Sequence, residues 1–128
     1  MNVLLDTHVL IWLDMDSGRL SQTVVDHLTD PTNRLLLSAA SVWEIAIKMQ
    51  LGKLTLTDTL EAVVAQQVAV NGFHHLDITA THGATAGFLP RLHKDPFDRL
   101  LVAQARIENA VLLTDDGLIS QCGVPTIW

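Results

Sequence analysis

The stretch NVLLDTHVLIW, residues 2–12, indicates the fold class of this chain. Its first part, NVLL, is a short and continuous apolar run, which is typical of a strand whose two faces are both buried. Asp6 ends the run, and the apolar residues that follow it recur at helical spacing. A buried strand that passes directly into a helix is the first unit of an α/β fold.

Similar apolar runs recur along the chain and alternate with helical segments. RLLLSA (34–39), FHHLDI (73–78) and VLLTDD (111–116) predict three further strands, and VPTIW (124–128) predicts a fifth. We therefore expect a single domain over residues 1–128, folded as a three-layer α/β/α sandwich. Its central sheet should be mostly parallel, with four or five strands.

Capping residues predict several helix ends. Asp58 is the expected N-cap of the helix DTLEAVVAQQVAVNG, and Asn71-Gly72 is the expected stop. Asp95 is the expected N-cap of the helix that begins with DPFDRLL, with Pro96 at its first position.

The composition is that of a globular, reduced protein. The chain has 128 residues, 48% of them hydrophobic, and a single cysteine, Cys122, so an internal disulfide is impossible. The start has no basic region, Asp6 interrupts its apolar run, and no stretch approaches the roughly 20 apolar residues that span a bilayer. We expect a soluble, cytoplasmic protein without a signal peptide or membrane segment.

The net charge of −6 argues against nucleic-acid binding through a broad basic surface. Acidic side chains gathered at one site would change that inference, because a bound cation reverses the local sign of the charge. Four acids fall at predicted strand ends or in the first turn of a neighbouring helix, places that share one edge of a parallel sheet. These acids are Asp6, Glu44, Asp98 and Asp116.

Carboxylates that converge there repel one another unless a cation compensates them. Oxygen ligands of this kind suit Mg²⁺ or Mn²⁺, and no Cys/His pair has the spacing of a zinc site. Such a site can hydrolyse phosphodiesters, with water activated by the metal as the nucleophile. Thr114 is placed to form a hydrogen bond near the last acid.

Each acid also has a structural interpretation. Asp6 could cap the following helix, and Asp98 could interact with a helix dipole. Glu44 could form a capping box with Ser41 or an i,i+4 pair with Lys48. Asp115 and Asp116 could form a turn with Gly117.

The segments LLDTHVLIW, LSAASVWEIAIK, HKDPFDRLLVAQA and LLTDD, in this order, resemble those of PIN-domain ribonucleases. In particular they resemble toxins of the VapC type from bacterial VapBC toxin–antitoxin pairs. The resemblance covers essentially the whole chain. It implies an endoribonuclease dependent on Mg²⁺ or Mn²⁺, whose metal ligands and catalytic acids would be Asp6, Glu44, Asp98 and Asp116.

The resemblance also implies partners. It implies an RNA substrate, with transfer or ribosomal RNA the usual targets, a cognate VapB-type antitoxin and a homodimer. Asp95 is interpreted as structural or as supporting a ligand, and the pattern leaves open whether Asp115 or Asp116 is the fourth ligand. Basic residues near the acids are hypothesised to contact RNA phosphates. They are Lys48, Lys53, Arg91, His93, Lys94 and Arg99.

Other interpretations compete with this one. A phosphatase using Asp6 as nucleophile would need a second aspartate two residues later, where this chain has His8. A non-catalytic PIN-like scaffold that binds RNA or protein is the main alternative. Trp12 and Trp43 are predicted to lie in the core, and His74 and His75 in a strand.

Overall fold

The computed structural model describes residues 1–90 and 94–128. Within these ranges five strands form one sheet in the order β3-β2-β1-β4-β5, and every neighbouring pair is parallel. The predicted mostly parallel α/β sheet is thus confirmed and is parallel throughout. The strands are β1 (Asn2–Leu5), β2 (Arg34–Ser38), β3 (His74–Leu76), β4 (Ala110–Leu113) and β5 (Thr126–Ile127).

Helices precede or follow the strands and cover both faces of the sheet. A 3-10 turn spans Ser17–Arg19. The α-helices are α1 (Thr7–Met15), α2 (Gln22–Thr29), α3 (Ala39–Gln50), α4 (Leu60–Asn71), α5 (Ala80–Phe88), α6 (Pro96–Ile107) and α7 (Gly117–Ser120).

The central strand β1 contributes to two separate hydrophobic cores. Val3 and Leu5 point into the core that contains residues of α1, α2, α3 and α4. Leu4 lies between them in sequence and points into the core formed with α6 and α7. Because side chains alternate between the faces of a strand, a run that is apolar at every position requires cover on both faces. This is the predicted three-layer arrangement.

Two predicted helix starts are displaced. The N-cap of α4 is Thr59, whose hydroxyl accepts a hydrogen bond from Ala62 N at 3.2 Å, so the assignment of Asp58 is wrong by one residue. Asp58 instead accepts a hydrogen bond from Thr59 N at 2.7 Å. The N-cap of α3 is Ser38, so the predicted capping box starting at Ser41 is also wrong, because Ser41 already lies inside the helix.

Other predicted ends are confirmed. Gly72 follows α4 in the left-handed region, with φ of 70°, where glycine carries no steric penalty. Asp95 caps α6 and Pro96 is its first residue. His74 and His75 lie in β3.

The predicted core position of Trp43 is wrong. Its relative exposure is 56%, since it lies on the outward face of α3. Trp12 is half-buried and packs against the core of α1–α4. In the described parts of the chain, no helix is long and apolar enough to cross a membrane.

Candidate active site

The predicted acids lie near the carboxyl edge of the parallel sheet. Asp6 directly follows β1, and Asp116 comes three residues after the end of β4. The helix α3 starts where β2 ends, and it carries Glu44. The helix α6 leads back into β4, so its first turn, with Asp98, starts toward this same edge.

Asp6 is 3% exposed and occupies the N-cap position of α1, yet its side chain makes no capping hydrogen bond. Instead, its Oδ2 accepts a hydrogen bond of 2.7 Å from the Thr114 hydroxyl at the end of β4. Among the described residues, no hydrogen bond reaches Asp6 Oδ1. A buried carboxylate oxygen without a donor is costly unless another group, such as a cation, compensates it.

The Thr114 hydroxyl joins Asp6 to the next loop. Thr114 is 4% exposed. Its hydroxyl donates a hydrogen bond to Asp6 and accepts one from the Asp116 backbone N–H at 3.1 Å. The Asp116 side chain is half-buried and caps α7, accepting a hydrogen bond from Leu118 N at 2.8 Å. Asp115 is exposed. Of these two aspartates, Asp116 is therefore the one bonded to the Asp6–Thr114 pair.

Glu44 is 7% exposed and is held at both oxygens. Its Oε1 accepts a hydrogen bond of 2.7 Å from the Thr7 hydroxyl, which also lies 3.0 Å from Ser41 Oγ. Its Oε2 lies 3.1 Å from Lys48 Nζ, which confirms the predicted i,i+4 pair. Since Thr7 directly follows Asp6, the two buried carboxylates belong to one polar cluster.

His8 lies at the rim of this cluster. Its Nδ1 is 3.9 Å from Asp6 Oδ2, a separation that suits an ion pair better than a hydrogen bond. Contact with the Asp6 carboxylate raises the pKa of His8, against an opposing effect of burial; the Glu44 charge also raises this pKa and the Lys48 charge lowers it. The acids therefore share their edge with two groups that can carry positive charge.

The first turn of α6 packs against Trp43, the residue before Glu44. Asp95 Oδ1 accepts hydrogen bonds from the backbone N–H groups of Phe97 (2.8 Å) and Asp98 (3.2 Å). The Phe97 ring contacts Trp43 edge-on, with centroids 5.1 Å apart. Because Trp43 neighbours Glu44 and Phe97 neighbours Asp98, this contact ties the two acidic turns together. The Asp98 side chain itself is half-buried.

Across residues 1–90 and 94–128, no group of three or more His, Cys, Asp or Glu side chains is arranged so that it could hold a metal ion. Asp6, Glu44 and Asp116 are instead each held by separate hydrogen bonds along one edge. The donor set nevertheless fits a hard cation, since it is made of carboxylate oxygens and Asp6 Oδ1 lacks a described donor.

Arg99 has a structural role that the sequence did not reveal. Its guanidinium donates hydrogen bonds of 2.8–3.3 Å to four carbonyl oxygens at and just beyond the end of α5. These oxygens belong to Ala86, Gly87, Leu89 and Pro90. An RNA contact by Arg99 would have to compete with these bonds. Lys53 and Lys94 are exposed, and Arg91 and His93 lie outside the described residues.

Sequence reasoning missed Thr7 and considered Ser41 only as a capping residue, although both are hydroxyl residues of the Glu44 cluster. Both are essentially buried, at 1% and 0% exposure. A usable signal did exist, because each is a polar residue within a largely apolar segment, and buried hydroxyls need partners.

The model of the PIN domain family matches residues 3–123 of this chain. Among curated proteins, none is significantly similar to it in sequence. Several solved structures share its fold. VapBC2 from Rickettsia felis, solved with a promoter DNA fragment, matches with a TM-score of 0.74 at 15% identity, over 99% of this chain and 98% of that one.

Two further neighbours are similar. VapBC-1 from nontypeable Haemophilus influenzae has a TM-score of 0.69 at 19% identity, over 99% of this chain and 97% of that one. VapC20 from Mycobacterium tuberculosis, a toxin that cleaves the sarcin–ricin loop, has a TM-score of 0.64 at 15% identity, over 95% of each chain. At these identities the likeness shows a shared fold, whereas the family match extends over nearly the whole sequence. The chain therefore belongs to the PIN-domain family.

Proposed function

We propose that this protein is a metal-dependent endoribonuclease toxin. The observation that carries the proposal is the state of Asp6. It is buried at the end of the central strand and occupies a capping position without capping, and its Oδ1 has no donor among the described residues. A purely structural N-cap would bond to the helix backbone, whereas a metal ligand needs a carboxylate oxygen available.

The residues that would hold the metal are Asp6, Glu44, Asp98 and Asp116. We prefer Asp116 to Asp115 as the fourth ligand. Bound Mg²⁺ or Mn²⁺ supplies an activated water and neutralises charge on the leaving oxygen of the phosphodiester. Thr114 orients Asp6, and Thr7 orients Glu44, through hydrogen bonds of 2.7 Å each. Carboxylates held in this way keep their positions when a ligand arrives, which lowers the cost of reorganisation.

Lys48 is the basic residue best placed for the substrate. Its Nζ lies 3.1 Å from Glu44, and its side chain is 34% exposed. We propose that the Lys48 ammonium group, which neutralises Glu44 in this structure, would contact a phosphate oxygen of the bound RNA. Lysine acts at such places as a flexible point charge.

The proposed partners follow from the neighbouring structures. VapBC complexes are among them, and VapC20 cleaves the sarcin–ricin loop. We propose that this chain cleaves transfer or ribosomal RNA in the cytoplasm, acts as a homodimer and is neutralised by a VapB-type antitoxin.

The test is cleavage of a panel of structured RNAs by the purified protein with Mg²⁺, with Mn²⁺ and with EDTA. Wild type is compared with Asp6→Asn, Asp98→Asn and Asp116→Asn. We expect cleavage that requires the metal and falls at least about 100-fold in each variant, because each loses a ligand or catalytic charge.

Asp115→Asn is the matched control. It removes the same charge one position from Asp116, at an exposed site, and should retain activity. If Asp115→Asn is inactive and Asp116→Asn active, the fourth assignment is wrong. If wild type binds these RNAs and cleaves none with either metal, the non-catalytic scaffold replaces the nuclease. Cleavage that survives EDTA equally in all variants would contradict the whole site.

A further inference from the structure

We propose that Trp43 and Phe97 form a stacking platform for an unpaired nucleobase of the substrate, which makes the site selective for single-stranded RNA segments. This inference rests on the proposed nuclease function and adds a specificity-determining subsite to it. We refer to the two side chains as the Trp43–Phe97 pair.

Trp43 presents an open aromatic surface. Its indole is 56% exposed, although the chain has two other tryptophans that are both largely covered. Phe97 is half-buried and contacts it edge-on, with an angle of 79° between the ring planes. This contact restrains the orientation of the indole while most of its surface stays open to solvent. A restrained, exposed aromatic ring loses little entropy when a planar ligand stacks on it.

The position of the pair favours the same role. Trp43 directly precedes Glu44, and Phe97 directly precedes Asp98, so the pair joins the two turns that carry proposed metal ligands. Lys48 lies one turn further along α3, with its ammonium group beside Glu44. A base on the pair and a phosphate near Lys48 would belong to adjacent parts of one nucleotide strand.

An exposed aromatic surface suits unpaired bases better than paired ones. Bases in a duplex are stacked on each other and offer no free face, whereas an unpaired base can be received by an aromatic side chain. Stacking of this kind tolerates all four bases and combines with nearby positive charge. The pair therefore selects for strandedness rather than for sequence.

A protein partner is the competing occupant. Ile47 and Leu51, 36% and 62% exposed, follow Trp43 along α3 at i+4 and i+8, and a protein contact would use all three. We favour RNA because the aromatic partner of Trp43 comes from α6, beside Asp98, rather than from further along α3. Ile47 and Leu51 also provide matched controls.

The test measures binding and cleavage of oligoadenylate, alone and paired with oligouridylate, in Mg²⁺. Wild type is compared with Trp43→Ala, Trp43→Phe and the control Ile47→Ala/Leu51→Ala, and the molecular mass of each is determined by light scattering. We expect Trp43→Ala to weaken single-strand affinity about 5- to 150-fold. Trp43→Phe should restore much of that loss, and duplex affinity should change little in either variant.

The outcomes separate the two proposals. If wild type cleaves and Trp43→Ala binds and cleaves single strands as wild type does, the platform is refuted and the nuclease stands. If wild type cleaves neither these strands nor the structured RNA panel with either metal, but Trp43→Ala still loses single-strand affinity selectively, the platform stands and the nuclease fails. If Trp43→Ala and the control lower the molecular mass alike and RNA affinity is unchanged, the face is a protein interface and the platform is wrong.

Discussion

Replacing Thr114 by valine tests whether the Asp6–Thr114 bond organises the site. Valine keeps the shape of the side chain and removes the hydroxyl. The lost hydrogen bond goes to a buried charged oxygen, which costs about 1.5–3 kcal/mol, and the Asp116 N–H loses its acceptor at a partly buried position. We expect the free energy of unfolding to fall by about 2–4 kcal/mol. With an unfolding entropy of about 2.1 cal/mol/K per residue, that lowers the melting temperature by about 7–15 °C.

The assay is urea denaturation and thermal melting of Thr114→Val beside Thr114→Ser. Serine retains the hydroxyl and loses one methyl group, so it should cost only about 1 kcal/mol. Valine should also abolish RNA cleavage if the proposed function is right, while serine retains it. A valine variant within about 0.5 kcal/mol of wild type would refute the reasoning, since surface substitutions alone change stability by that much.

Three other perturbations have definite expected results. Gly72→Ala places a side chain at a φ of 70° and should destabilise the protein by about 1 kcal/mol. Gly83→Ala lies inside α5, is equally unobstructed and should stabilise the protein by about 0.5–1 kcal/mol. Urea denaturation that gives both changes the same sign would contradict this. The raised pKa of His8 adds stability that is complete below the unfolded value of about 6.5 and is lost as pH rises through the folded value. His8→Gln should therefore lower the free energy of unfolding more at about pH 5.5 than at about pH 8. NMR titration should show a lower His8 pKa in the Asp6→Ala variant than in wild type, and an unchanged pKa would exclude Asp6 as the cause. Arg99→Ala should lower the free energy of unfolding by about 1–3 kcal/mol. Arg99→Lys should not restore it, because lysine lacks the planar guanidinium that bonds to several carbonyl oxygens at once. Full rescue by lysine would show that only the charge of Arg99 matters.

The sequence predicts the layers of this fold well because burial on two faces has a direct signature. The run at residues 2–5 is apolar at every position, and its side chains alternate between two cores in the structure. The ends at Asp95, Pro96 and Gly72 are also predictable, because capping and left-handed backbone demand particular residue types.

Other features depend on tertiary contacts that sequence spacing does not contain. Ser38 caps α3 because β2 ends there, so the spacing of Ser41 and Glu44 is coincidental, and Glu44 pairs with Thr7 from another element. Trp43 lies on the outer face of α3, but the residues around it in the sequence are mostly apolar. Hydrophobic periodicity therefore could not assign its side chain to the core or to the surface. The carboxylates could be assigned to one edge of the sheet, but their individual hydrogen-bond partners could not.

The bond between Asp6 and Thr114 joins residues 108 positions apart, and β1 pairs with β4 along its whole length. During synthesis, the amino-terminal strand therefore leaves the ribosome long before its central partner does. Until β4 arrives, β1 lacks one neighbour and Asp6 lacks the hydroxyl that orients it, so a nascent or truncated chain that ends before residue 110 cannot assemble this edge of the sheet. If the proposed function is correct, activity would appear only in molecules that have been synthesised past β4 and Thr114.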